Sequence, residues 1–95
     1  MENKHFEDPF LKILPKLDLH GENSEVAVWL TKDSINMNQS MGNLKIAVIH
    51  GWHSNVLKNA IHKYLSTEKK VTKFYTYNSN NGITIIEITP KVEKL

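Results

Sequence analysis

Two short strand patterns, each followed by a helical pattern, and then two strands about a turn leave this chain few folds to choose from. Leu17-Asp18-Leu19-His20 alternates apolar and polar residues, as a half-buried strand does, and Gly21 ends it. Asn23 or Ser24 can cap a helix, since their side-chain oxygens accept from a free first-turn N–H. From there Ala27, Leu30, Thr31, Ser34, Met37 and Met41 follow helical spacing up to Gly42, a natural stop. Leu44 to Ile49 is a short run rich in Ile and Val, which fits a buried strand. After the loop His50-Gly51-Trp52-His53, Ser54 caps a second helix with the inner face Leu57, Ala60, Ile61, Tyr64 and Leu65. Val71 to Tyr77 predicts a third strand, Asn78 to Gly82 a turn, and Ile83 to Thr89 a fourth strand.

The order is βαβαββ in 95 residues, which is an α/β fold and one domain. Crossovers between parallel strands are right-handed, and the last two strands form an antiparallel hairpin. Two helices of this length cover one face of a four-stranded mixed sheet, so a two-layer sandwich with one barer sheet face is expected. Residues 1–16, with Pro9 and Pro15 and no sustained period, form an N-terminal arm; 17–89 is the domain and 90–95 a charged tail. Phe6, Phe10, Leu11, Ile13 and Leu14 either pin the arm to the domain or dock a partner.

The chain has no Cys, so disulfides, Cys-ligated zinc and a thiol nucleophile are excluded. The start of the chain carries charges throughout and lacks the apolar stretch of a secretory signal. No apolar run approaches the roughly 20 residues of a membrane helix. The expected location is the cytoplasm, and no membrane partner is expected. The formal charge is +2 and every fixed cation is Lys, so phosphate contacts must come from point charges rather than guanidinium forks.

In parallel βα units, the loops after successive strands emerge at one sheet edge, where ligands tend to bind. That gathers Asp18, His20, His50, His53 and the Asn-rich turn near one rim. The set suits phosphodiester cleavage. A neutral imidazole takes a proton from a hydroxyl or a water, and an imidazolium gives one to a leaving oxygen. Asp18 lies two residues before His20 on the same strand face, placed to hold or polarise the ring. The start of the second helix, Ser54-Asn55-Val56, offers unpaired N–H groups to an anion, Lys58 adds charge, and Trp52 can stack on a base.

Each piece also has a plainer reading. Asp18 can bond only to local backbone or Lys, and Trp52 can be a lid on the core. His50 shares parity with Leu44, Ile46 and Val48, which points it toward the helices. A metal site built from His20, His50, His53 and Asp18 is available by ligand type, but the spacing matches no zinc motif. His5 is incidental, and so is His62, which lies off the inner stripe of the second helix. P-loop, GxGxxG and GxSxG motifs are absent, and the first helix carries few cations for a membrane surface.

Leu17-Asp18-Leu19-His20-Gly21 followed by Ile49-His50-Gly51 resembles the small MutS-related (Smr) domain family, in its short stand-alone bacterial form. That family carries LDxH on its first strand and HGxG after its second. Asn81-Gly82-Ile83-Thr84 is similar to its Gly-x-Thr turn. The likeness runs from Leu17 to Ile88. It implies a fold similar to the C-terminal domain of translation initiation factor three, and action on nucleic acid. Members include DNA-nicking domains and RNA endonucleases, some acting on mRNA in stalled ribosomes.

Carried over by position, Asp18 and His20 match the residues tied to cleavage, with His50 and Gly51 as the first half of HGxG. Gly51, Trp52, His53, Ser54, Asn55 and Lys58 are then the nucleic-acid-binding candidates. No cofactor is fixed by the sequence, and magnesium or manganese is a candidate. The partners implied are RNA or DNA, and the ribosome. The chain departs from the family at His53 and Asn55, which replace two glycines of the HGxGxG loop. Glycine allows positive φ and close backbone approach to a ligand. The loss supports a second reading, a nucleic-acid or ribosome-binding adaptor with a lysine rim (Lys45, Lys58, Lys63, Lys69, Lys70, Lys73) and no turnover. A protein-interaction domain is a third.

Overall fold

The computed structural model describes residues 9–51, 55–77 and 80–92. Its elements are α1 (Pro9–Ile13), β1 (Lys16–Asp18), α2 (Ser24–Met41), β2 (Lys45–Ile49), α3 (Asn55–Leu65), β3 (Val71–Tyr77) and β4 (Asn80–Ile88). The βαβαββ order is as expected, with one short helix added in the arm.

The sheet order is β1-β2-β4-β3. β1 runs parallel to β2, with Leu17 opposite Val48. β4 runs antiparallel to both neighbours, pairing Thr84 with Val48 on one side and Ile86 with Phe74 on the other. β2 and β3 therefore point the same way although β4 lies between them, and β1, β2 and β3 all end at one edge. The composition of β4 explains its central place. Ile86 and Ile88 face the α2 and α3 layer with Leu19, Ile46, Val48, Leu57 and Ile61. Ile83 and Ile85 join Ala47 on the opposite face. A strand apolar on both parities is stable only between two neighbours and two covered faces.

The second face is less bare than two helices predict. Leu11 from α1 and Leu14 after it pack against the Ala47, Ile83 and Ile85 cluster, beside Tyr75 and Tyr77. Ile13 is exposed. Phe6 lies outside the described residues.

α2 begins where the Asn23 side chain accepts from the Val26 N–H at 2.9 Å. It ends at Gly42, whose φ of +82° turns its own N–H and that of Asn43 back onto the carbonyls of Gln39 and Asn38. Its buried stripe is Ala27, Thr31, Ser34, Ile35 and Asn38. Met37 and Met41, expected on the inner face, are 52% and 63% exposed. The polar residues can turn inward because they bond locally. Thr31 Oγ1 donates to the Ala27 carbonyl, and Asn38 Nδ2 to that of Ser34, each at 2.8 Å.

The expected turn 78–82 is shorter in the structure. Pairing already resumes at Tyr77 opposite Asn80, so residues 80–82 belong to β4, while 78 and 79 lie outside the described residues. No helix among the described residues is long and apolar enough to cross a membrane.

Candidate active site at the strand ends

Backbone bonds draw three strands together where β1 and β2 end. The Leu19 N–H donates to the Ile49 carbonyl at 2.7 Å. The N–H groups of His50 and Gly51 both donate to the Gly82 carbonyl, at 2.9 and 3.1 Å. Leu19 is fully buried and anchors the exit of β1. Asp18 and His20, on either side of it in an extended segment, must then face away from that core. Their side chains are 56% and 73% exposed.

These two side chains form a pair. His20 Nδ1 lies 2.7 Å from Asp18 Oδ1, and the His20 backbone N–H donates to the same oxygen at 3.2 Å. The bond to His20 holds the Asp18 carboxyl below its ordinary value. The same bond, helped by the carboxylate charge, pushes the His20 imidazole up. Gly51 borders the pair. Its φ is +96°, and a Cβ there would meet His20 Cβ at 3.5 Å, an ordinary contact. The glycine is required by the backbone conformation rather than by space.

His50 is not on this rim. It is fully buried on the helix side of the sheet, where its parity with Ile46 and Val48 placed it. His50 Nε2 is 2.8 Å from the Thr84 hydroxyl. His62 Nε2 reaches the same hydroxyl from α3, also at 2.8 Å. The His62 ring stands edge-on to Phe74 at 5.0 Å and to His50 at 6.2 Å. Burial pushes both imidazoles down, and the positive charge of Lys58 adds to this. Both are neutral rings at neutral pH. His62 was off the inner stripe in the sequence pattern. Its signal was Leu65, buried three residues later and so beside it on the helix surface.

Trp52, His53 and Ser54 lie outside the described residues. Asn55 opens α3 and is exposed, and Lys58 stands one turn in. Of the lysines in the adaptor reading, Lys58 alone is near the strand ends. Lys45 opens β2, Lys63 lies in the last turn of α3, and Lys69, Lys70 and Lys73 precede or open β3. Those positions are at the opposite sheet edge. Among the described residues, no three His, Asp or Glu side chains are placed to hold a metal ion. Asp18 with His20 alone does not amount to a protein cage for such an ion.

The comparisons agree with this architecture. The family model for the Smr domain matches residues 17–89. The Smr domain of Thermus thermophilus MutS2 superposes with a TM-score of 0.79 at 21% identity, covering 81% of this chain and all of that one. YdaL of Escherichia coli, a stand-alone small MutS-related protein, superposes with a TM-score of 0.71 at 17% identity, covering 78% of this chain and 63% of that one. No curated protein matches the chain. With most of its length matched by one family model, and with that family's fold, the chain belongs to the nucleic-acid-related Smr domain family.

Proposed function

We propose that this domain is an endonuclease on RNA or DNA, with Asp18 and His20 as the acting pair. The observation that carries this reading is the 2.7 Å bond between two exposed side chains at the strand ends. A carboxylate on Nδ1 fixes the ring and its tautomer, leaving Nε2 for the substrate. A neutral His20 takes a proton from the attacking water or hydroxyl. A protonated one gives a proton to the leaving oxygen. The bond to Asp18 raises the imidazole, which favours the protonated form that gives a proton to the leaving oxygen. The first-turn N–H groups of α3, together with Lys58, hold the phosphate. His50, being buried, supports the loop that starts at Gly51 and does not meet the substrate.

The adaptor reading draws support from His53 and Asn55, which stand where the family has glycines. One experiment separates the two. Purified protein is incubated with labelled single-stranded RNA, structured RNA, and supercoiled and linear DNA, each with magnesium, manganese or chelator, beside His20→Ala and Asp18→Ala. Cleavage by wild type that both variants lose is the expected result, and the substrate that is cut gives the class. Salt-dependent binding without cleavage in any condition would favour the adaptor. Cleavage that persists in both variants would remove the pair from the mechanism.

A further inference from the structure

β3 stands at one end of the sheet, with β4 beside it and no strand among the described residues on its other side. A strand paired on one side leaves alternate backbone N–H and C=O groups open, a template for another strand. The two ends of the sheet differ. β1 is three residues long and β3 is seven. β3 reads Val-Thr-Lys-Phe-Tyr-Thr-Tyr, with six β-branched or aromatic residues, one charge, no Pro and no Gly. Such a strand pairs readily and carries little to keep a second strand away. Its one charge is turned aside: Lys73 Nζ lies 5.3 Å from the centre of the Tyr75 ring, on the sheet face that α1 covers.

The strand is self-complementary about Phe74. When two copies pair antiparallel across a two-fold axis there, Phe74 stands opposite Phe74, Lys73 opposite Tyr75, and Thr72 opposite Thr76. Residues directly opposite share a sheet face. Aromatic then meets aromatic, cation meets ring, and hydroxyl meets hydroxyl, and each such pair stabilises. The neighbouring registers do not match. Centred on Lys73, the pairing sets like charges opposite each other. Centred on Tyr75, it faces Phe74 with Thr76 and runs past the end of the strand at Tyr77. The regular part of β3 lies where the matching register needs it. Lys73 to Thr76 pair with Glu87 to Thr84 without interruption, and the irregularities fall outside, at Val71/Lys73 and Thr76/Tyr77. Beside this stretch, between the end of α3 and β3, lies an open hollow of about 420 Å³ with Leu65, Val71 and Phe74 in its wall. Phe74 packs on the helix side of the sheet, so Phe74 of a second copy arrives on that side too.

We infer that β3 is a self-association edge: two copies of this chain pair their β3 strands antiparallel about Phe74, joining two four-stranded sheets into one. The joined sheet keeps only the short β1 strands as its edges, so the pairing closes at two. The surface along one strand is small, which makes this a weak, reversible contact. The strands of the two copies run in opposite directions, so their Asp18–His20 rims lie at opposite sides of the joined sheet. The inference therefore stands apart from the reading of that rim.

Sedimentation equilibrium of the wild-type chain from about 10 μM to about 1 mM covers the range of a weak contact. The mass is expected to climb from one chain toward two and no further. A chain that stays single throughout, or a mass that keeps growing past two, overturns the proposal. Backbone hydrogen exchange over the same range needs no variant. Alternate amides between Thr72 and Thr76, those turned away from β4, are expected to slow as concentration rises. Slowing elsewhere with that stretch unchanged places the contact on another surface and overturns the proposal. Tyr75→Lys sets a second cation opposite Lys73 of the other copy, at two places across the axis, and is expected to weaken association about tenfold. Lys73→Glu alone removes the cation from the ring and is expected to weaken it less. Mixed, the two variants bring a carboxylate against an ammonium across the axis, and the mixture is expected to associate more tightly than either alone. A defect of folding would not be repaired by mixing. A mixture no tighter than its parts, with both variants folded by circular dichroism, overturns the pairing about Phe74.

Discussion

His20 bonds Asp18 twice: its ring Nδ1 lies 2.7 Å from Asp18 Oδ1, and its backbone N–H reaches the same oxygen at 3.2 Å. The second bond matters as much as the first. It ties the carboxylate to the chain two residues on, so the acceptor is in place before the ring arrives. An exposed pair between two freely rotating side chains would gain little. Here one partner is already held, and the tie persists on an open rim.

Replacing Asp18 by Asn tests this directly. The His20 imidazole is raised chiefly by its bond to Asp18. In Asp18→Asn it should fall toward the ordinary value of about 6.5. Proton NMR titration of His20 reads this, and an unchanged midpoint would remove Asp18 as the cause. The pH dependence of the pair follows with its signs. His20, raised in the fold, contributes stability below its unfolded value and loses it as pH rises through the folded one. Asp18, lowered in the fold, contributes above its unfolded value and loses it as pH falls through the folded one. The pair is therefore worth most between the two, and little in absolute terms because both groups are open to water.

Gly51→Ala should cost about 1–2 kcal/mol, the usual penalty for a side chain in left-handed backbone. The Cβ itself meets only His20 Cβ at 3.5 Å, so crowding adds nothing to that. Urea denaturation checks the number. Because the strain falls on the loop beside His20, binding or cleavage should fall by more than the loss of folded protein explains. A variant with wild-type stability and wild-type activity would show that the loop does not need its positive φ.

Thr84→Val removes the hydroxyl shared by His50 and His62. Both Nε2 atoms then face an apolar methyl, and His50, fully buried, has no water to turn to. Leaving a buried polar group unsatisfied costs about 1–3 kcal/mol, and that is the expected loss in the denaturant midpoint. Thr84→Ser keeps the hydroxyl and should recover most of it. An unchanged midpoint in Thr84→Val would show that the hydroxyl satisfies neither ring, and any loss in Thr84→Ser is that of the methyl group, which Val keeps.

Much of this architecture could be read along the chain because local chemistry and tertiary need coincide there. Asn23 caps α2, Gly42 ends it, and Leu57, Ile61 and Leu65 face the core as their spacing demands. The Leu17-Asp18-Leu19-His20 alternation likewise foretells a buried Leu19 between two open polar residues. Other features were decided by contacts that periodicity does not contain. Thr31, Ser34 and Asn38 satisfy themselves on their own helix, which lets α2 rotate Met37 and Met41 outward. His62 gains its place only because Thr84, on a strand 22 residues away, offers a hydroxyl to it. The insertion of β4 between β2 and β3 was visible in its isoleucines, which fill both parities, but only once a strand covered on both faces is sought.

The two interior imidazoles make one further expectation, about acid. Burial pushes both His50 and His62 below the ordinary histidine value. The unfolded chain takes up protons on these rings at about pH 6.5, where the folded chain does not. Their contribution to stability is thus fully present above that pH and is lost as pH falls through the folded values. His20 works in the opposite sense, so the cleanest measurement is made in a His20→Ala background. There the urea midpoint should be lower at pH 5.5 than at pH 7.5, and adding His62→Phe should shrink the difference. An identical midpoint at the two pH values would mean that the rings protonate in the folded chain as readily as in the unfolded one. The Thr84 bridge would then tolerate a charged imidazole.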